Sequence, residues 1–457
     1  MAKQKYDYDL IVIGSGAGGS VAADIVANAG KRVAIVEGDT LGGESPNWGC
    51  VPTKALLHAA NIYDAAKHGQ QFGIRSAAVG YNYPSVKAWK DLAVQRSGAS
   101  SGAKYYQSRG IGLFNGMAHF ISPHEITVNR RHLSAANFLI ASGSHWVVPD
   151  IQGLDEVPYL TARSALELGR PPKSLFVIGG GATGTEFAEL FSIFGTKVYI
   201  ADVAPRLLPK EDQEVSEAVE KTFTDKRGMS ILTRSKVIAV AKEGLMIRVT
   251  YIRGSEQHSV KVDQLLVAAG KAPTVDIGLE NAGVVYTPKG VEVDDHLQTS
   301  AKHISACGDA IGRSMYTHVG VYESKIFAHN LLNKNKVTPD YRSIPRVTFL
   351  SPEVASVGLS EEACLKRDLT IKTAIAPINI IARANTSNVR DGFVKVITDK
   401  KGTLIGASVV SPHAGEVVHE LTLAIQYGLS ANQVANTLHA FPTWSEAVRV
   451  ACGKIAV

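Results

Sequence analysis

The sequence predicts an α/β protein with two parallel-sheet βαβ units and an α+β segment at its C-terminal end. Three observations carry this prediction. A strand–glycine–helix–strand pattern opens the chain, the same pattern recurs from Ser174, and the region after Ile344 changes to alternating strands and an amphipathic helix. At 457 residues, with 45% hydrophobic and 20% charged content, the chain is too long for one simple core, so two to four domains are expected. The first residues, "MAKQKYDYDLIVIG", carry no long apolar h-region, and no apolar run reaches eighteen residues. A cytoplasmic location is therefore the default expectation. Net charge is +6 without blocks of like charge, which gives no footprint for nucleic acid or an anionic membrane. Four scattered cysteines (Cys50, Cys307, Cys364, Cys452) have neither metal-ligand spacing nor the density of a disulfide scaffold, so no metal site is expected.

The opening element, "DLIVIGSGAGGSVAADIVANAGKRVAIVEG", runs from a buried strand at Leu10–Ile13 through Gly14, Gly16 and Gly19 into a helix and on to a strand ending at Glu37. The first glycine makes a tight turn, the second lets backbone approach a pyrophosphate, and the third lets helix and strand pack closely. The phosphates would sit on the helix N-terminus. Glu37 is spaced to accept hydrogen bonds from a ribose diol. The second unit, "SLFVIGGGATGTEFAELFSIFGTKVYIAD", repeats this with Gly179, Gly181 and Gly184, and its acid is Asp202. Two Rossmann-like dinucleotide sites follow. A carboxylate suits a free 2′-hydroxyl and repels a 2′-phosphate, so Asp202 favours NADH over NADPH. Arg206, four residues on, is either a solvated loop charge or a base that softens that preference.

With these motifs in place, the chain resembles the FAD-dependent pyridine nucleotide–disulfide oxidoreductases, the group of dihydrolipoamide dehydrogenase, mercuric reductase and soluble transhydrogenase. "LIASGS" (139–144) resembles the strand and turn closing the first half of an FAD domain, and "LLVAAGKAP" (265–273) the exit from an NAD domain. "TSAKHISACGDA" (299–310) resembles the second FAD motif, and "IPRVTFLSPEVASVGLSEEA" (344–363) the start of a dimerisation domain. The resemblance implies an FAD-binding domain over 1–148, an inserted NAD(P)-binding domain over 149–268, a return to FAD over 269–338 and a dimerisation domain over 339–457. It implies FAD contacts from Gly14, Gly16, Gly18, Gly19, Glu37, Gly43, Lys54, Ser142, Gly143, Gly308 and Asp309, with nicotinamide contacts from Gly179, Gly181, Gly184, Glu186, Asp202 and Gly270. It also implies a homodimer. Independently of the family, residues 392–410 read as an antiparallel hairpin around Lys-Lys-Gly, and residues 416–428 as an amphipathic helix closed by a glycine.

The stretch "GGESPNWGCVPTK" (42–54) contains the chemistry and a departure from the family. The disulfide-reducing members carry two cysteines here, separated by four residues. Cys50 matches the second, which lies against the flavin, but Ser45 occupies the first. Exchange requires a thiolate attacking sulfur, and a serine hydroxyl neither ionises near neutral pH nor forms a mixed disulfide. Cys50 alone would stand at the start of a helix, where negative charge is favoured; otherwise it is an inert buried thiol. The family pairs the positions of Lys54 and Glu186 beside the flavin, although Glu186 would also serve as a simple helix-start carboxylate. A second departure lies in "LHAFPTWSE" (438–446): Phe441 stands where the lipoamide and glutathione reductases have an acid–base histidine, while the glutamate that orients it remains as Glu446. Phenylalanine moves no proton. His439, two residues away, would share a side with Phe441 on an extended segment, and a structural role for it is the simpler reading.

Three functional readings stay open from sequence. The first is an FAD enzyme passing electrons from NADH to an acceptor that needs no dithiol relay: a quinone, a metal ion, oxygen or a second nicotinamide. The second is an engineered or trapped Cys-to-Ser form of a dithiol reductase. The third is a flavin-loaded binding subunit without turnover.

Overall fold

The computed structural model describes residues 6–75, 78–98 and 102–456. They divide into two compact units, one lying within residues 1–55, 87–147 and 270–339, the other within residues 56–86, 148–269 and 340–457.

The first unit is built on a five-stranded parallel sheet whose order is Ile304–Ala306, Phe138–Ile140, Leu10–Ile13, Val33–Glu37 and Gly112–Asn115. Leu10–Ile13 is buried along its whole length, as expected of a central parallel strand covered on both faces. Val12 pairs with Ile35 on one side and Leu139 on the other. The helices Ala17–Asn28 and Thr317–Leu332 pack on each other. A small antiparallel sheet, Ala118–Ser122, Glu125–Val128 and Arg131–Ser134, adds Phe120 to the core, edge-on to Phe138 at 5.0 Å between ring centres. The effect of this arrangement is to bring the carboxyl ends of the parallel strands, where ligands bind in such sheets, to one edge.

The second unit repeats the parallel design in the order Ser230–Leu232, Lys197–Ala201, Ser174–Ile178 and Gln264–Val267. The antiparallel strands Ser235–Glu243, Met246–Arg253 and Glu256–Val262 pack on it, with Phe176, Val249 and Leu265 in a shared core. Its C-terminal part is a five-stranded antiparallel sheet ordered Pro345–Thr348, Glu353–Gly358, Leu404–Ser411, Phe393–Asp399 and Ile371–Pro377.

The hairpin expected over 392–410 is Phe393–Asp399 and Leu404–Ser411, and the Asp399 carboxylate accepts the amides of Lys401 and Thr403 across the turn at 2.8 and 2.9 Å. The amphipathic helix is Ala414–Gln426, beginning two residues earlier than expected and ending before Gly428, whose φ of +66° suits glycine. Helices Ala414–Gln426 and Glu446–Ala456 cover the sheet through Val418, Leu421, Val448 and Ala451. Buried Lys395 on this sheet is balanced by Glu214 at 2.9 Å and Glu361 at 2.7 Å, so its charge is met on two sides. Among the described residues, no helix is long and apolar enough to cross a membrane.

Candidate active site

The two glycine loops share one geometry. Gly14 and Gly179 have φ of +100° and +112°, and a Cβ on either would lie within 2.3 Å of a carbonyl oxygen of the neighbouring strand end, at Ala141 or Ala268. A Cβ on Gly19 or Gly184 would lie 1.9 Å from the carbonyl oxygen of the first glycine, so the helix can approach only without one. By contrast, a Cβ on Gly16 would meet only the Gly43 Cα at 3.9 Å, and one on Gly181 would meet nothing within 4 Å. Gly181 leaves open space above the helix start at Ala182, while at Gly16 the Gly43 backbone lies alongside; neither the Ala17 nor the Ala182 helix start has a side-chain cap. Uncapped first-turn amides suit a pyrophosphate, and the residues fit a bound dinucleotide in both places.

The two acids also behave alike. Glu37 accepts the Ser15 amide at 2.9 Å on Oε2 and the Asp39 amide at 2.8 Å on Oε1. Asp202 accepts the Gly180 amide at 2.6 Å on Oδ2 and the Ala204 amide at 2.7 Å on Oδ1. Each carboxylate is thus fixed at the end of its second strand and keeps lone pairs for a ribose diol. Arg206 is engaged elsewhere: its guanidinium pairs with Glu362 at 2.9 Å, and Lys366 first, then Arg206, hold the Glu362 carboxyl down at about 2.

The remaining cofactor-motif residues converge in the first unit. The Ser144 hydroxyl donates to Asp309 Oδ2 at 2.5 Å, and the Gly308 amide donates to buried Glu323 at 2.6 Å. Ser142 donates to the Thr274 carbonyl at 2.6 Å, and Gly143 accepts the Thr274 amide at 2.9 Å. A Cβ on Gly18 would lie 3.1 Å from the Cys307 sulfur, and Ser324 donates to the Gly18 carbonyl. The first glycine helix and the 307–324 segment are thereby locked together. Gly270, expected on the nicotinamide side, folds with the first unit, where its carbonyl accepts the Val147 amide at 3.0 Å.

The turn before Cys50 is tightly held. Ser45 sits in the short helix Glu44–Asn47, and a Cβ on Gly49 would lie 3.0 Å from the Ser45 Cα. Asn47 donates to the carbonyls of Leu41 and Gly43, while Glu44 pairs with Lys271, whose ammonium lies 4.7 Å from the Trp146 ring centre. Cys50 is the first residue of the helix Cys50–Lys67, so its sulfur has the helix-start position expected of it. That sulfur is exposed and lies 3.8 Å from the hydroxyl of Thr317, itself the first residue of the helix Thr317–Leu332. Lys54, half-buried, follows one turn into the Cys50 helix. The other three cysteines are buried and unsuited to attack. Burial pushes the Cys307 thiol well above its ordinary range and raises that of Cys364, and burial followed by the nearby Glu420 carboxylate takes Cys452 up to about 12.

In the second unit, Glu186 lies inside the helix Ala182–Ile193 and does not cap it. Its Oε1 accepts the Phe349 amide at 3.0 Å. Glu189, one turn on, accepts the Ser351 amide at 2.9 Å and pairs with Arg227, which reaches Asp64 at 2.9 Å. Two carboxylates of the nucleotide helix therefore hold the 349–351 loop.

The C-terminal segment separates two side chains that an extended strand would put together. Phe441 is 73% exposed, whereas the His439 side chain is 5% exposed, with Nδ1 2.8 Å from the Thr437 carbonyl and Nε2 2.7 Å from Glu420. With both ring nitrogens bonded within its own chain, His439 has a structural place. Glu446 begins the last helix, with Oε1 3.6 Å from Arg449 and a buried Oε2 that has no hydrogen-bond partner. Among the described residues, no group of three or more His, Cys, Asp or Glu is placed to hold a metal ion.

Ser15, Thr317, Glu323 and Glu189 escaped the sequence reading. For Glu189 the available signal was its place one turn after Glu186 on a glycine-loop helix.

Comparison with known proteins agrees with this architecture. Residues 8–324 match the pyridine nucleotide-disulphide oxidoreductase family, and residues 344–452 match the dimerisation domain of the same family. A mercuric reductase of Staphylococcus aureus is 34% identical over 449 residues, covering 97% of this chain and 82% of its own. A dihydrolipoyl dehydrogenase of Geobacillus stearothermophilus is 33% identical over 447 residues, covering 96% and 94%. Among solved structures, the HOCl-induced flavoprotein disulfide reductase RclA of Escherichia coli superposes with a TM-score of 0.87 at 27% identity, covering 98% of this chain and 99% of that one. With the family match spanning both units and the glycine loops in place, the chain belongs to the FAD-dependent pyridine nucleotide-disulphide oxidoreductases.

Proposed function

We propose that this oxidoreductase carries electrons from NADH to an acceptor that takes them without a dithiol relay: a quinone, a metal ion, oxygen or a second nicotinamide. The observation that carries the reading is the single exposed thiol. Cys50 heads its helix, Ser45 stands in the preceding turn, and every other cysteine is buried. In this reading residues 1–148 and 269–338 hold FAD, residues 149–268 hold the nicotinamide nucleotide, and residues 339–457 form the interface of a homodimer. When bound, the flavin supplies a two-electron carrier between nicotinamide and acceptor.

The chain's own residues do the placing. Glu37 and Asp202 are fixed to receive ribose hydroxyls, and the helix starts at Ala17 and Ala182 receive the phosphates. Asp309 is held by Ser144 for the flavin's side chain, and Cys50, met by Thr317, presents one sulfur that cannot store an electron pair as a disulfide. NADH is the expected donor because Asp202 would face a 2′-phosphate with like charge, and Arg206 is committed to Glu362. Exposed Leu423, Tyr427, Leu438 and Phe441 on the C-terminal segment support association with a second copy.

The test is steady-state NADH oxidation by the purified yellow protein with a soluble quinone as acceptor. Sustained turnover supports the reading. Absence of turnover with the quinone, with oxygen, with a metal ion and with a nicotinamide analogue would overturn it in favour of a silent flavin-loaded subunit.

A further inference from the structure

We propose that Ser15 is a positioning residue that makes the first glycine loop the more retentive of the two nucleotide sites, an inference that rests on FAD occupying that loop. The chain contains its own control, because the two loops share one design and differ at this residue.

Ser15 is completely buried, and its hydroxyl joins two elements. It donates to Glu37 Oε2 at 2.5 Å and accepts the Gly42 amide at 3.0 Å. Together with the Ser15 and Asp39 amides, Glu37 receives three donors. The matching position in the second loop is Gly180, so Asp202 receives two, both from backbone. A serine there would displace its neighbours: a Cβ on Gly180 would lie 2.6 Å from the end of the Leu207 side chain and 3.2 Å from the Asp202 Cβ.

The second difference concerns what covers each loop. Through Gly42, Ser15 fastens the start of the turn that leads to Ser45 and Cys50. The next residue, Gly43, has its backbone against Gly16, since a Cβ there would lie 2.7 Å from the Gly16 Cα. The equivalent surface at Gly181 is open. A carboxylate already fixed by three donors loses little freedom when a ribose binds, and a fastened turn over the phosphate cradle slows departure. The same hydroxyl thus links the ribose acid to the turn bearing the redox residues. Short O–H···O⁻ bonds are among the stronger ones, so removal of this one should be measurable.

The test uses the flavin-loaded protein with Ser15→Ala and Ser15→Gly, the latter copying the second loop. Three quantities are read: the rate of FAD release on dilution, by flavin fluorescence; amide hydrogen exchange of the 38–49 peptide; and NAD⁺ affinity at the second loop, by calorimetry. Both variants should release FAD about tenfold faster or more, which corresponds to one charge-assisted hydrogen bond. Exchange should quicken in 38–49, and NAD⁺ affinity should stay within about twofold. FAD release within about twofold of the parent would overturn the proposal. So would parallel loss of FAD and NAD⁺ binding, which would make Ser15 a residue of general folding. A parent protein that takes up no FAD would overturn the assignment of the first loop itself, and the proposal with it.

Discussion

The sulfur of Cys50 lies 3.8 Å from the hydroxyl of Thr317, and both residues are the first of their helices. Two helix N-termini therefore meet at one exposed thiol, with a hydroxyl between them. A hydroxyl is the better donor of the pair, and sulfur accepts more readily as a thiolate. Thr317→Val is expected to slow alkylation of Cys50 by iodoacetamide at pH 7.5 roughly fivefold, the worth of about 1 kcal/mol from one net hydrogen bond. Thr317→Ser should stay near the parent rate. Equal rates for all three would remove Thr317 from the account.

In the proposed function Asp202 favours NADH. kcat/KM for NADH should exceed that for NADPH by about tenfold or more, since one misplaced charge readily costs about 1.4 kcal/mol. Asp202→Asn should narrow the ratio chiefly by improving NADPH. Equal efficiencies in the parent would mean that Arg206 leaves Glu362 to meet the phosphate.

Glu189 makes the second unit sensitive to pH. Burial is the largest influence on its carboxyl and pushes it up to about 7, against the pull of Arg227 and the Ser351 amide. The folded state thus holds this proton more tightly than the unfolded state does. Its stabilising effect is complete below the ordinary value near 4.5 and is lost as pH rises toward about 7, on the order of 3 kcal/mol over that window. Urea unfolding between pH 5 and 8 should show the parent gaining on Glu189→Gln as pH falls. A constant difference, or one of opposite sign, would show that the ion pair with Arg227 governs this carboxyl.

Ser45→Cys should restore a disulfide with Cys50, because the Glu44–Gly49 turn brings residue 45 against the residue preceding Cys50. The parent has four free thiols, and the variant isolated in air should titrate with three in denaturant rather than five. Five would show that the turn holds the two positions apart. An efficient disulfide reductase is not expected from this change alone: in the proposed function Phe441 stands at the acid–base position and moves no proton, a step worth roughly 10²–10⁴-fold.

Sequence made the glycine loops, their acids and the parallel strands legible because each rests on local spacing, and steric demand at Gly14, Gly19, Gly179 and Gly184 leaves no alternative residue. The partners of those residues were less visible. Glu186 reads as a helix-start acid, yet it holds Phe349, 163 residues later, and nothing in the intervening sequence signals that bond. Ser15 occupies an unconstrained position of its motif, so its buried bridge to Gly42 became apparent only when the 42–43 turn was placed. His439 and Phe441 were expected on one side because their spacing suits a strand. The segment is irregular, and the hydrogen bond with Glu420 turns His439 inward while Phe441 faces out.

The proposed function requires that one exposed thiol beside a serine carry no dithiol relay. NADH-dependent reduction of lipoamide by the unmodified protein, measured beside reduction of a quinone by the same preparation, tests it most directly. Turnover of the quinone and no detectable reduction of lipoamide are expected, because no second thiol is exposed to complete the exchange. Reduction of lipoamide at a rate comparable with the quinone would contradict it and would require another cysteine to reach Cys50 during turnover.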